Sequence, residues 1–242
     1  MRDASQQFVV EQVGDADAIL VLDETGFRKT GQQSVGVPRQ YSGPAGKVDT
    51  CPGGVFLAYV TSRGQLRLDR RLYLPEGWAR DPNRRAAAKV PAAVVLATMP
   101  QLARALLEQL WAQQRPLAWI TADERSGGDP QLLATLEARA ARSVRAVPST
   151  TAVWPADTTV VTVSDRLRVL QATPPEPATV AAVVAGWDGA AWPRVLVGAG
   201  RNGPRLYDWA AARVVARRAG WPGPTRWLRA RRSVTDPRAV AA

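Results

Sequence analysis

Two short apolar segments, each followed by an Asp-Glu pair, constrain the fold of this chain more than any other feature. The first is "AILVLDETGF" at residues 18–27, and the second is "LAWITADERSGG" at residues 117–128. Both apolar runs are typical of buried strands. If these strands are neighbours in one sheet, Asp23 and Asp123 emerge at the same edge, where ligands collect in α/β sheets. Acidic residues after strands also cap helices, so each Asp alone says little.

The surrounding pattern predicts a mixed α/β domain. Residues 1–13 have the apolar spacing of a helix. The runs "GVFLAYVT" and "LRLDRRLYL" around "SRG" predict a β-hairpin with Gly64 at a positive-φ turn position. Thr98 and Gln101 predict a capping box at the start of an amphipathic helix. Trp119 lies inside a buried strand and is predicted to belong to the core.

The order of these elements indicates how the chain is divided. A hairpin followed by helix, strand, helix and strand predicts an α/β sheet covered by helices. After Pro148 the character changes to short β-type runs. We therefore expect a helical segment at residues 1–17, an α/β core at 18–150, and a β-rich subdomain with a basic C-terminal segment at 151–242. Residues 25–52 are rich in Gly, Gln, Ser and Pro, and predict a long loop or an irregular hairpin.

Two scarce residue types exclude whole classes of chemistry. The sequence has no histidine and one cysteine, Cys51. Ser-His-Asp and Cys-His nucleophiles, His-ligated zinc and multi-thiolate zinc sites are therefore excluded. No apolar run approaches the roughly 20 residues of a membrane helix, so we expect no membrane partner. The single cysteine favours a reducing, cytoplasmic location.

The charge of the chain indicates a polyanionic partner. The net charge is +11, from 32 basic and 21 acidic residues, and residues 201–242 contain ten arginines and two acidic residues. Nucleic acid is the simplest such partner, although a GC-rich genome would also enrich arginine. Two carboxylates without histidine suit a divalent cation such as Mg²⁺. That cation can activate water or a hydroxyl in phosphoryl transfer.

At these residues the sequence resembles a known family. The segment "VLDETGFRKTGQQSVGVPRQYSGPAGKVDTC" resembles the first catalytic block of bacterial insertion-sequence transposases of the DDE superfamily, and "WITADERSGGDPQLL" resembles the second. The segment "GPRLYDWA" is similar to part of the later insertion. The resemblance implies a ribonuclease H-like α/β fold, with a mixed sheet flanked by helices and a β-rich insertion toward the C-terminus. Asp23 matches the first catalytic acid and Asp123 the second.

The resemblance also implies cofactors and partners. Three acids in these relatives bind two Mg²⁺ (or Mn²⁺) ions, which drive hydrolysis of a DNA end and strand transfer by the freed 3′-hydroxyl. The expected partner is double-stranded DNA at the terminal repeats, and a homodimer in synapsis is left open. Six residues after the first acid are expected to contact DNA through phosphate charge or base stacking, or else to form a solvated loop: Arg28, Lys29, Arg39, Gln40, Tyr41 and Lys47.

The sequence departs from the family pattern at the third acid. The expected Glu on a helix after the insertion is absent, and neither Asp208 nor Asp236 lies in a matching motif. We therefore expect a truncated core that is inactive alone. Glu24 and Glu124 are not expected to be ligands, because successive side chains of an extended segment point to opposite faces.

Two further functions stay open. One is a DNA-binding remnant that occupies the terminal repeats without cutting them. The other is a Mg²⁺-dependent phosphohydrolase with Asp23 as its nucleophile. Thr25 stands where the second Asp of its D-x-D motif belongs, which argues against this reading.

Overall fold

A computed structural model provides the three-dimensional structure of the protein. It describes residues 2–27, 34–36, 39–42, 47–50, 52–158, 162–165, 168–171, 175–187, 192–200, 203–218, 220–235 and 240–241. The chain forms two compact units, Met1–Ala146 and Val147–Ala242. In the described ranges, no helix has the length and apolar character needed to cross a membrane.

The first unit contains six helices and seven strands among its described residues. The helices are α1 Arg2–Val13, α2 Glu76–Ala79, α3 Pro82–Ala87, α4 Met99–Ala112, α5 Glu124–Gly127 and α6 Pro130–Ala138. The strands are β1 Ile19–Gly26, β2 Arg39–Ser42, β3 Lys47–Thr50, β4 Gly53–Thr61, β5 Gly64–Leu72, β6 Trp119–Ala122 and β7 Ser143–Arg145.

Five of these strands form one mixed sheet in the order β5-β4-β1-β6-β7. β5, β4 and β1 pair antiparallel, whereas β1, β6 and β7 pair parallel. The predicted hairpin is confirmed as β4 and β5, and Gly64 has φ +146°, a conformation that favours glycine. The predicted capping box is also confirmed, because Thr98 and Gln101 exchange hydrogen bonds at the start of α4.

The core of the first unit lies on one face of the sheet. Leu20, Leu22 and Ile120 are fully or almost fully buried there against α4 and α6, because alternate side chains of a strand point to one face. The other face is more open, with Ile19 37% and Trp119 40% exposed. The prediction that Trp119 belongs to the core was therefore wrong.

The second unit is rich in β structure. Its strands are β8 Ala152–Pro155, β9 Thr162–Asp165, β10 Arg168–Gln171, β11 Ala178–Thr179, β12 Arg194–Gly200, β13 Gly203–Arg218, β14 Trp221–Ser233 and β15 Val240–Ala241. One short helix, α7 Val180–Ala185, accompanies them in the described residues. The main sheet has the order β11-β8-β13-β14-β15, with β12 also paired to β13, while β9 and β10 form a separate pair.

A small core holds this second unit together. α7 contributes Val180 and Val184, and the long β13–β14 hairpin contributes Val214, Leu228 and Ala230. Each of these side chains is at most 7% exposed. The hairpin is thus anchored through one of its two faces.

Candidate active site

The two predicted acids lie on neighbouring strands. β1 and β6 run parallel, with Leu22 opposite Ala122, and Asp23 and Asp123 directly follow these paired residues. Neighbouring strands are about 4.8 Å apart, so the backbones carrying the two acids are adjacent. Asp123 follows the end of its strand as predicted. Asp23 instead lies inside β1, because pairing with β4 continues as far as Gly26.

Asp23 lies on the open face of the sheet. Its side chain is exposed, and its Oδ2 accepts a hydrogen bond of 2.8 Å from the Thr25 hydroxyl. By strand alternation it points away from the face that Leu22 buries. The carboxylate is therefore accessible to solutes and held by a local contact.

Asp123 has a structural task as well as a predicted catalytic one. It is the N-cap of α5, and its Oδ1 accepts a 2.9 Å hydrogen bond from the Ser126 backbone N–H. Asp123 therefore caps a helix, which is the alternative role considered above for an acid that follows a strand. The cap uses Oδ1 and fixes the orientation of the side chain. The cap does not require the other carboxylate oxygen, Oδ2.

Glu24 lies closer to these acids than strand alternation alone suggests. Its side chain is only 6% exposed. Its Oε1 accepts a 2.8 Å hydrogen bond from the Ser126 hydroxyl, and Arg125 Nε lies 3.5 Å from its Oε2. Burial raises the pKa of Glu24, and the charges of Asp123 and then Asp23 raise it further, against the lowering effects of Ser126 and Arg125. Both aspartates therefore act on the same buried carboxyl group.

Ser126 connects the two acidic segments, a role that the sequence analysis did not predict. This fully buried residue donates its N–H to Asp123 and its hydroxyl to Glu24. The sequence signal for this contact is the three-residue spacing between Asp123 and Ser126, which is the spacing of an N-cap residue and the backbone N–H that it accepts from.

The short helix that carries Ser126 is seated tightly against the strand that follows. A Cβ at Gly127 would lie 2.7 Å from the Ala146 carbonyl oxygen, and the Arg145 guanidinium donates to the Gly127 carbonyl. α5 therefore positions Asp123 rigidly.

The oxygen ligands present suit a hard divalent cation. Asp23 and Asp123 provide carboxylates on adjacent strands, and Glu24 Oε2 is buried without a hydrogen-bond donor. Mg²⁺ is commonly held by one or two carboxylates while it keeps several waters. Within the described residues, no group of three or more His, Cys, Asp or Glu side chains is arranged to hold a metal. The chemistry of Asp23 and Asp123 fits a site with two carboxylate ligands.

The residues predicted to bind DNA fall in a separate segment. Arg28 and Lys29 lie outside the described residues. Arg39, Gln40 and Tyr41 lie on β2, which pairs antiparallel with β3, where Ser42 is opposite Lys47. Residues 25–52 were predicted to form a long loop or an irregular hairpin, and their described part contains this antiparallel strand pair. The contact with DNA stays a prediction.

The fold and the acid pair define an α/β protein with an acidic site on adjacent parallel strands of a mixed sheet. Comparison with protein families adds a more specific result. The family described as DDE superfamily endonuclease matches residues 1–204, and the chain belongs to this family. No curated protein matches the chain.

Proposed function

We propose that this chain is the catalytic region of a DDE-type transposase of a bacterial insertion sequence, acting on double-stranded DNA at terminal repeats in the cytoplasm. In this proposal residues 18–150 form a ribonuclease H-like core, residues 1–17 precede it, and 151–242 form the insertion. The position of Asp23 on β1, next to Asp123 directly after β6, carries the proposal. Membership of the DDE superfamily endonuclease family supports it.

The side chains would divide the work at the DNA backbone. Asp23 and Asp123 would hold Mg²⁺ or Mn²⁺, which when bound activates a water or hydroxyl and stabilises the leaving oxygen. Ser126 and α5 keep Asp123 in one orientation. The net charge of +11 attracts the phosphate backbone. Joining two DNA ends would bring two copies of the chain together, and we infer a homodimer in synapsis.

We further propose that the chain alone is catalytically incomplete. The described residues contain no group of three metal-binding side chains, and two carboxylates position the scissile phosphate less well than three. A misplacement of about 1 Å can cost on the order of a hundredfold in rate. We expect slow nicking at most, and no efficient strand transfer.

A nicking and strand-transfer assay on terminal-repeat DNA with Mg²⁺ or Mn²⁺ tests this function. We expect residual nicking to fall at least about a hundredfold in Asp23→Asn and in Asp123→Asn. Glu124→Gln is the matched control, because Glu124 is an exposed acid next to Asp123 and should leave nicking unchanged. Nicking that persists in Asp23→Asn would contradict the site, and robust joining by the parent chain would contradict its incompleteness.

A non-catalytic DNA-binding protein is the second candidate. The two-carboxylate set and the excess positive charge favour it. Gel-shift binding that persists in Asp23→Asn, together with no nicking by the parent chain, would select this function over the first.

A further inference from the structure

Along residues 207–213 and 227–233, the β13–β14 hairpin of the second unit has one anchored face and one face that is more open, on which the Trp209 Nε1 atom is buried. Asp208, Ala210, Leu228 and Ala230 are buried on the anchored side. Because cross-strand partners share a face, the residues between them in sequence point the other way. The register places four cross-strand pairs on this open face: Tyr207–Ser233, Trp209–Arg231, Ala211–Arg229 and Arg213–Trp227.

We call this surface the arginine–tryptophan face, defined by Tyr207, Trp209, Arg213, Trp227, Arg229 and Arg231. Trp227 is 67% exposed, more than any other large hydrophobic side chain of the second unit's described residues. Arg213, Arg229 and Arg231 are exposed as well. The indole of Trp227 is therefore accessible to a partner.

The positive charge of this face is not neutralised by the hairpin. Within the described residues of β13 and β14, the only carboxylate is Asp208. It lies on the anchored side, where Arg194 Nε is 2.9 Å and Arg232 Nε 3.5 Å away. On the open face, the Arg231 guanidinium lies 4.7 Å from the centre of the Tyr207 ring. The face therefore offers guanidinium groups next to aromatic rings.

This combination fits unpaired nucleotides better than a duplex. Guanidinium groups attract phosphates in both forms of DNA. A duplex, however, keeps its base faces stacked inside, whereas a single strand offers them to an exposed ring. The indole of Trp227, directly opposite Arg213 and two residues from Arg229, is where such a base would stack.

We propose that the arginine–tryptophan face binds single-stranded DNA, with Trp227 stacking on a base and the arginines contacting phosphates. This binding needs neither metal nor the acids at positions 23 and 123. It is therefore separate from the proposed catalytic function, and either could fail without the other.

Fluorescence anisotropy of the full chain with a labelled single-stranded oligothymidine tests the proposal. We expect Trp227→Ala to weaken binding about tenfold, and Trp227→Phe to retain most of it because a ring still stacks. The double variant Arg229→Ala/Arg231→Ala should lower the slope of log affinity against log salt by about 1.4. Trp227 is mostly exposed, so these variants should keep the melting temperature of the parent.

Two controls separate this face from general charge and from the acidic site. Arg142→Ala removes the same charge from an exposed position of the first unit and should change affinity little. Asp23→Asn should bind the oligonucleotide at least as well as the parent. Equal affinity of Trp227→Ala and parent would overturn the proposal. The proposal would also be overturned if the chain bound duplex DNA as tightly as single-stranded DNA and Trp227→Ala weakened neither.

Discussion

Two carboxyl groups, one in each unit, occupy opposite electrostatic environments. Asp208 in the second unit has a lowered pKa, because Arg194 donates a hydrogen bond to it and the charges of Arg194 and Arg232 stabilise its anionic form. Glu24 in the first unit has a raised pKa, because it is buried and close to two further acids. The exposed Arg125 lies 3.5 Å from it.

The two carboxyl groups differ in how their negative charge is compensated. An acid that helps a fold is paired with cations, as Asp208 is. Acids gathered without matching cations make the folded chain less stable, and such arrangements cluster at functional sites. The electrostatics of the first unit support the cation site proposed for it, whereas Asp208 of the second unit is paired with arginines.

The largest effect is expected for Ser126→Ala in the first unit. This change removes the hydroxyl that donates to the buried Glu24 carboxylate. We expect a loss of about 1–3 kcal/mol in the free energy of unfolding, measured by urea denaturation. Thr135→Ala is the control, since that hydroxyl donates to a backbone carbonyl on an exposed part of α6. Equally small losses of unfolding free energy in both variants would show that the Ser126–Glu24 hydrogen bond stabilises the fold no more than an exposed one.

Substitutions at Asp123 separate its cap from its charge. Asp123→Ala removes the cap of α5 and should cost about 1 kcal/mol of unfolding free energy, while Asp123→Asn keeps a good cap and should cost little. Asp129→Ala, which removes the cap of α6, gives the reference value for the loss of unfolding free energy in Asp123→Ala. If Asn is as costly as Ala at position 123, the charge itself stabilises the fold and the contrast with Asp208 fails.

The pH dependence of stability should differ in sign between the units, beginning with Glu24. Its folded-state pKa lies above the ordinary value of 4.5. The folded state therefore holds this proton more tightly than the unfolded state, and stability falls as pH rises from about 4.5 through the folded-state pKa. Glu24→Gln should gain melting temperature relative to the parent at pH 7 and gain less at pH 4. A gain independent of pH would show that Glu24 does not titrate this way.

Asp208 should show the opposite and smaller dependence. Its folded-state pKa lies below the ordinary value of 3.8. Its contribution is therefore present above pH 3.8 and is lost as pH falls through the folded-state pKa. The effect is small because the Arg194 side chain is 57% exposed and screened by solvent. Asp208→Asn should lower the melting temperature at pH 7 more than at pH 3, and a uniform change would contradict the pairing.

Local chemistry made part of this structure predictable from the sequence. The capping box of Thr98 and Gln101 and the turn at Gly64 depend on neighbouring residues alone, and both are confirmed. The apolar character of β1 and β6 indicated two buried strands, and their parallel pairing was a condition that the structure meets. The length of β1 did not, because its extension to Gly26 depends on pairing with a distant strand, β4.

Features set by tertiary packing were not predictable. Trp119 is exposed because Ile120 and Ala122 turn toward the core, and a four-residue strand does not reveal which of its faces is covered. Residues 203–233 form a long hairpin, although their many Ala and Arg residues have no clear strand periodicity. Strand alternation predicted that Glu24 turns away from Asp23, but the sequence did not show that Ser126 of α5 contacts Glu24.

Binding of Mn²⁺ by the full chain, followed by electron paramagnetic resonance, tests the central claim most directly. That claim is that Asp23 and Asp123 hold one shared cation. We predict that each single Asn substitution lowers the affinity about tenfold or more, and that the double variant is hardly weaker than either single one, because the shared site is already lost. Affinity that is unchanged in both single variants, or a Mn²⁺ site that survives intact in each single variant and is lost only in the double variant, would contradict it.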